Sequence, residues 1–240
     1  MKKILFLLLL SFAASAQVTI KQYNIVIAGN SLSANAGTHP TTYSYPQVLS
    51  RQLGANYKIT NSGVGGQTTQ DISSSYTSQI GNYYDASTYA ANILVIWEGR
   101  NDMILNSLTT TQTYNNLVTL CGTARAQGWK IIVVDITPSW SSSYKGDATV
   151  TGYNQLDADR ITVSNSIIAN WATFADGLVR LSDNSLIGSL SQSYQSGYTF
   201  SSVTRPTVST NLMYDDGTHF AQLGYQLIAE KVRQAILKLA

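Results

Sequence analysis

The chain has 240 residues, of which 44% are hydrophobic and only 12% are charged. That apolar share suffices for a core and excludes a disordered chain. The formal charge of +2 gives no basic surface to read as a nucleic-acid or anionic-membrane footprint. Charged residues stand at about half the usual ~25% of soluble domains, so Ser, Thr, Asn, Gln and Tyr supply most of the polar surface.

In chain order, Lys2 and Lys3 precede an apolar run, Ile4 to Leu10, and small residues ending in Ala14-Ser15-Ala16. A positive stretch, a short apolar stretch and an A-x-A site predict a secretory signal peptide over residues 1–16. The apolar run is shorter than the ~20 residues that span a bilayer. Cleavage after Ala16 removes both lysines and brings the formal charge to zero. No Cys follows the site, so no lipid anchor is expected. The prediction is an exported protein, secreted or periplasmic, with a single domain over 17–240.

Tyr23 to Ala28 is a nearly continuous β-branched run and predicts the first strand, followed by Gly29. Pro46 to Leu53 has a helical pattern, with Val48, Leu49 and Leu53 on one side. Tyr57 to Thr60 predicts a second strand, leading into Gly63-Val64-Gly65-Gly66. Ile93 to Trp97 predicts a third. Thr109 to Gln127 reads as a long helix closed by Gly128. Within it, Leu117, Val118, Leu120 and Ala124 surround Cys121, the single cysteine, which reads as a buried structural thiol with no internal disulfide open to it. Lys130 to Ile136 predicts a fourth strand, Asn154 to Phe174 a helix and Leu178 to Leu181 a fifth strand. Gln222 to Leu239 predicts a last helix, with Leu223, Leu227, Ile228, Val232 and Ile236 along one face. Apolar strands separated by helices predict a parallel sheet covered on both faces. The functional crevice of such a sheet lies at the carboxyl ends of its strands.

Four turns at those ends carry polar residues: Gly29-Asn30-Ser31-Leu32-Ser33, then Asn61 to Thr69, then Gly99-Arg100-Asn101-Asp102, and Asp216-Gly217-Thr218-His219 before the last helix. Singly each is weak. A Ser after a glycine turn is commonly a helix cap. Position 68 is Thr, which breaks the dinucleotide fingerprint, and position 33 is Ser, which breaks the G-x-S-x-G elbow. With His39 and His219 as the two histidines and one cysteine, no dedicated metal site is expected.

Jointly, in this order, the four turns resemble those of the SGNH (GDSL-type) hydrolase family. Tyr45-Pro46, Leu49, Leu53-Gly54 and Leu223-Gly224-Tyr225 add to the likeness. The resemblance implies a three-layer α/β/α sandwich, flavodoxin-like, with a central parallel sheet of about five strands. It also implies a carboxylic ester hydrolase that needs no cofactor. Acyl transfer requires a nucleophile, a base, an orienting carboxylate and donors for the developing oxyanion. By resemblance Ser31 is the nucleophile, His219 the general base, and Asp216 the carboxylate that orients the imidazole, with Asp215 its competitor. The oxyanion donors are the backbone N–H groups of Ser31 and Gly66 and the side-chain amide of Asn101.

One position departs from the family pattern: Asn30 stands where Asp is usual. Asn donates a hydrogen bond where Asp only accepts, so the expectation is that Asn30 holds the turns around Ser31 with an altered rate or pH response. Arg100 reads as a surface partner of Glu98 or Asp102, with an anionic substrate as the alternative, and His39 as a solvent-exposed loop residue. Two long segments are expected to shape the cleft. Pro138 to Gly152 brings Trp140 and Tyr144, and Asp183 to Tyr214 brings Tyr194, Tyr198, Phe200, Met213 and Tyr214. The expected substrate is an ester of a carbohydrate or small molecule carrying acetyl or another short acyl group. The alternatives are a lipase- or thioesterase-like preference for longer chains, or a carbohydrate-binding domain with impaired catalysis.

Overall fold

Three apolar runs build the centre of the molecule in the computed structural model: β1 (Tyr23–Gly29), β3 (Ala91–Trp97) and β4 (Lys130–Val134). The structure describes residues 21–34, 44–138, 144–145, 150–184, 186–187, 196–200, 203–206, 212 and 218–240. Residues 1–16, expected to be a signal peptide, and His39, Trp140, Tyr194, Met213, Tyr214, Asp215 and Asp216 lie outside the described residues. With β2 (Tyr57–Asn61) and β5 (Gly177–Val179), the described strands form a five-stranded sheet. Its order is β2-β1-β3-β4-β5 and every pairing is parallel.

Side chains alternate across a strand, so each strand feeds two cores. Ile25, Ile27, Ile93, Val95, Ile132 and Val134 face one side. There they meet α2 (Tyr45–Leu53) and α8 (Gln222–Leu237) through Tyr45, Leu49, Tyr225, Ile228 and Val232. Val26, Leu94, Ile96, Ile131 and Val133 face the other. That side is covered by α3 (Thr69–Ser74), α6 (Thr110–Gln127) and α7 (Val150–Phe174), through Ile72, Leu117, Leu120, Val163 and Ile167. This is the expected three-layer α/β/α sandwich. Short helices α1 (Ser31–Ala34), α4 (Tyr76–Gln79) and α5 (Arg100–Ile104) fill the turns. Among the described residues no helix is long and apolar enough to cross a membrane.

Several boundaries differ from expectation. β4 ends at Val134 and β5 at Val179, and directly after β4 comes Asp135, whose N–H donates to the Val179 carbonyl at 3.1 Å. Its buried carboxylate accepts from the N–H groups of Leu181, at 2.7 Å, and Ser182, at 3.2 Å. α7 begins at Val150 rather than Asn154, and α8 stops at Leu237. Tyr144, in a segment expected to shape the cleft, is buried in the core, with its hydroxyl donating to Asp159 at 2.6 Å. The expected loop 183–214 contains an antiparallel hairpin, β6 (Ser196–Phe200) and β7 (Val203–Pro206), with Tyr198 and Phe200 on β6. Cys121 is fully buried, and burial pushes its thiol up to about 12.

Candidate active site

The chain runs from β1 outward to β2 and returns to β3 on the opposite flank of β1, so strand order reverses between β1 and β3. That reversal opens a crevice beyond their carboxyl ends. Ser31 follows β1 and Asn101 follows β3, so both stand at its mouth.

Gly29 ends β1 where the chain passes against β3. A Cβ there would lie 2.5 Å from the Trp97 carbonyl oxygen and 2.7 Å from Ser33 Oγ, so only glycine fits. The next residue, Asn30, caps α1. Its side-chain oxygen accepts from the Leu32 N–H at 3.0 Å, and its carbonyl accepts from the N–H groups of Ser33 and Ala34. This capping leaves Ser31 at the first helical position, where the backbone N–H has no intrahelical acceptor.

His219 Nε2 lies 2.9 Å from Ser31 Oγ, bridging 188 positions of sequence. The histidine is held by its neighbour. Phe220 is fully buried and packs on Trp97 and Tyr225, with ring centroids 6.1 and 6.0 Å apart. His219 therefore sits on a short step between an anchored aromatic and the turn of Thr218. Asp216 and Asp215 lie outside the described residues.

The glycine turn after β2 is stitched to the nucleophile turn. Val64 N–H donates to the Gly29 carbonyl at 3.0 Å, and Asn61 Nδ2 donates to the Ser33 carbonyl at 2.9 Å. Gly66 has φ +79° and is exposed. Its N–H has no acceptor among the described residues. Asn101 is buried, donates from Nδ2 to the Gln67 carbonyl at 2.8 Å, and accepts at Oδ1 from Arg100 Nη1 at 3.1 Å. The arginine fixes which end of the amide is the donor, and Nδ2 keeps a second N–H.

Three residues do work that their sequence positions did not announce. Arg100 is not in a surface pair with Glu98 or Asp102, whose carboxyls are buried, although its charge favours the ionised form of Glu98. It reaches across the crevice to Thr218 Oγ1 at 3.0 Å, tying Asn101's helix to the segment that carries His219. Asp102 accepts from Thr69 N–H at 3.0 Å and from the Thr69 hydroxyl, joining α5 to the start of α3. Burial raises its carboxyl, and the Thr69 hydrogen bonds oppose the rise. Glu98 accepts from Asn30 Nδ2 at 2.8 Å and from Gly99 N–H at 3.0 Å, both at Oε1. Burial first, then the Asp102 charge, push Glu98 up to about 8. No sequence signal marked Glu98: the β1–β3 register, which puts positions 30 and 98 side by side, is seen only in the structure.

Comparison with known proteins agrees with this fold. The profile of the GDSL-like Lipase/Acylhydrolase family matches residues 27–227. No curated protein matches the chain. Among solved structures, a lipase/acylhydrolase from Enterococcus faecalis is 17% identical, with a TM-score of 0.60 over 90% of this chain and 95% of that one. A member of the lipolytic protein G-D-S-L family from Veillonella parvula is 17% identical, with a TM-score of 0.63 over 90% and 98%. A psychrotrophic esterase from Pseudoalteromonas sp., in a structure inhibited by monoethylphosphonate, is 17% identical, with a TM-score of 0.54 over 90% and 97%. At these identities the three structures establish a shared fold.

Proposed function

The chain belongs to the GDSL-like lipase/acylhydrolase family and is thereby a carboxylic ester hydrolase; from that premise we propose that it is an exported serine esterase acting through Ser31, His219 and Asp216. The observation that carries the proposal is the 2.9 Å separation of Ser31 Oγ and His219 Nε2, within reach for proton transfer.

Ser31 Oγ bonds to the ester carbonyl carbon while its proton passes to His219 Nε2. The carbonyl electron pair moves onto oxygen, and the resulting oxyanion is met by the N–H groups of Ser31 and Gly66 and by Asn101 Nδ2. As the carbonyl re-forms, the bond to the alcohol oxygen breaks, and the imidazolium delivers its proton to that oxygen. A water molecule, deprotonated by His219, then attacks the acyl-enzyme, releases the carboxylic acid and restores Ser31. Asp216, three positions before His219, fixes the imidazole tautomer and stabilises the imidazolium.

The proposed substrate is an ester of a carbohydrate or small molecule bearing acetyl or another short acyl group. A low charged fraction of 12% supports recognition of a neutral substrate, and the aromatics of the segment 183–214 suit stacking on it. Export rests on the Lys2-Lys3, apolar and Ala14-Ser15-Ala16 pattern. The test is hydrolysis of p-nitrophenyl esters from acetate to long acyl chains by wild type and Ser31→Ala. The expected result is activity highest on acetate and lost in the variant. A Ser31→Ala protein as active as wild type overturns the serine mechanism, and a rate that climbs with chain length overturns the short-acyl assignment.

A further inference from the structure

The nucleophile turn here reads Gly29-Asn30-Ser31-Leu32, whereas the structural relative from Veillonella parvula is named for G-D-S-L. The amide at position 30 performs two tasks. Its oxygen caps α1 at the Leu32 N–H, and its nitrogen donates to Glu98 Oε1 at 2.8 Å. An aspartate could perform the first task alone, since an ionised carboxylate has no proton to donate. Asp at position 30 would set a second carboxyl oxygen 2.8 Å from Glu98 Oε1, inside a site where both residues are at most 2% exposed. Two carboxyls so placed cannot both ionise and must share a proton. Asn30 and Glu98 are therefore chemically matched, one supplying the donor and the other the acceptor.

The pairing is built into the sheet. Gly29 lies opposite Trp97 in the β1–β3 register, so Asn30 and Glu98 leave their strands at the same level, one position before Ser31. Glu98 Oε2 is buried with no hydrogen-bond partner among the described residues, so the carboxyl's described polar contacts all pass through Oε1, to Asn30 and to its own neighbour Gly99. The charged groups acting on it are Asp102, which favours its neutral form, and Arg100, which opposes that.

We infer that Glu98 is a positioning residue for the nucleophile, holding the Asn30 amide so that the cap of α1 presents Ser31 to His219, with the turn's acid displaced onto the facing strand. The inference rests on Ser31 being the nucleophile as proposed above.

The experiment compares kcat and KM on p-nitrophenyl acetate for wild type, Ser31→Ala, Asn30→Asp, Glu98→Gln, Glu98→Met and the double variant Asn30→Asp/Glu98→Gln. Each is assayed at a temperature where thermal melts show it folded. Glu98→Gln keeps an acceptor for Asn30 and stays within about threefold of wild type in kcat, whereas Asn30→Asp, assayed above the pH at which its shared proton leaves, loses about tenfold or more with KM little changed. Glu98→Met, which fills the space without an acceptor, falls about as far as Asn30→Asp. The double variant restores a donor opposite the new carboxylate, and its kcat returns to within about threefold of wild type, a coupling that independent sites would not produce. A double variant no faster than Asn30→Asp, or a Glu98→Met enzyme equal to wild type, overturns the inference. Should Asn30→Asp fail to fold, Glu98→Met against Glu98→Gln decides it. Activity retained in Ser31→Ala overturns the serine mechanism instead, so the two failures are read from different variants.

Discussion

Strands β1 and β3 carry a cross-strand polar pair at each end, and the two pairs behave differently. At the amino ends, Asn24 Nδ2 donates to Asn92 Oδ1 at 2.8 Å and to the Tyr83 carbonyl at 2.7 Å. Asn92 in turn donates to the Asp85 carbonyl at 2.9 Å and accepts from its N–H at 3.2 Å. Both side chains are neutral and well partnered, and their work is to close the bottom of the sheet. At the carboxyl ends, Asn30 meets a carboxyl with one buried oxygen unpartnered among the described residues, beside a second buried acid, Asp102. The same register and spacing yield a structural clasp at one end and an electrostatically loaded one at the other. Only the loaded end touches the proposed nucleophile.

The sharpest way to break this comparison is at the crevice itself. Ser31→Ala should lower kcat on p-nitrophenyl acetate by about 10⁴-fold or more, with a melting temperature close to wild type. Asn101→Ala removes an oxyanion donor and should cost about 10²–10³-fold in kcat, measured under the same steady-state conditions. At the opposite end, Asn92→Ala removes one of the two acceptors of the buried Asn24 amide and the side-chain partner of the Asp85 N–H and carbonyl. It should destabilise the fold by about 1–3 kcal/mol in denaturant titrations while kcat is unchanged. A loss of kcat there would show that the two ends are not separable.

The finest distinction lies in the response to pH. The folded-state pKa of Glu98 is raised, to about 8 from 4.5, so the folded chain holds this proton more tightly than the unfolded chain does. The neutral acid's contribution to stability is complete below pH 4.5, declines as pH rises and is gone above about 8. Glu98→Gln has no such proton. Its stability relative to wild type should therefore climb by about 1.4 kcal/mol per pH unit inside that window and run parallel outside it. Denaturant midpoints collected from pH 4 to 9 provide the check, and parallel curves throughout would mean that Glu98 ionises normally.

Much of this architecture was legible beforehand. Ile25 to Ala28, Ile93 to Trp97 and Ile131 to Val134 are continuous apolar runs, which announce strands buried on both faces. Thr109, Gly128 and the apolar spacing between them announce α6. The short elements gave no such signal. α1 and α5, at four and five residues, span hardly more than one turn and have no periodicity to read. The hairpin β6–β7 is rich in Ser, Thr and Tyr and lies inside what reads as a loop. Where the Asp135 carboxylate finds its donors, at Leu181 and Ser182, is a tertiary fact.

At the site, motif order located Ser31 and His219, and the structure sets them within hydrogen-bonding distance. The bond between Asn30 and Glu98 depends on strand register. Arg100 reaches Thr218 across 118 positions, and no local pattern encodes that contact. Tyr144 shows the converse ambiguity. An aromatic in a presumed cleft segment is an equally good core residue, and here packing won, with Asp159 receiving its hydroxyl.

Cys121, sealed within α6, has a practical consequence. The chain has no other cysteine, and this thiol is shielded from solvent with its ionisation suppressed to about 12, so maleimide dyes at neutral pH should find almost no background target. A cysteine introduced at Val64, 46% exposed in the glycine turn beside the crevice, would then be the sole labelling handle. It would give an optical reporter of ester occupancy without first stripping the native sulfur.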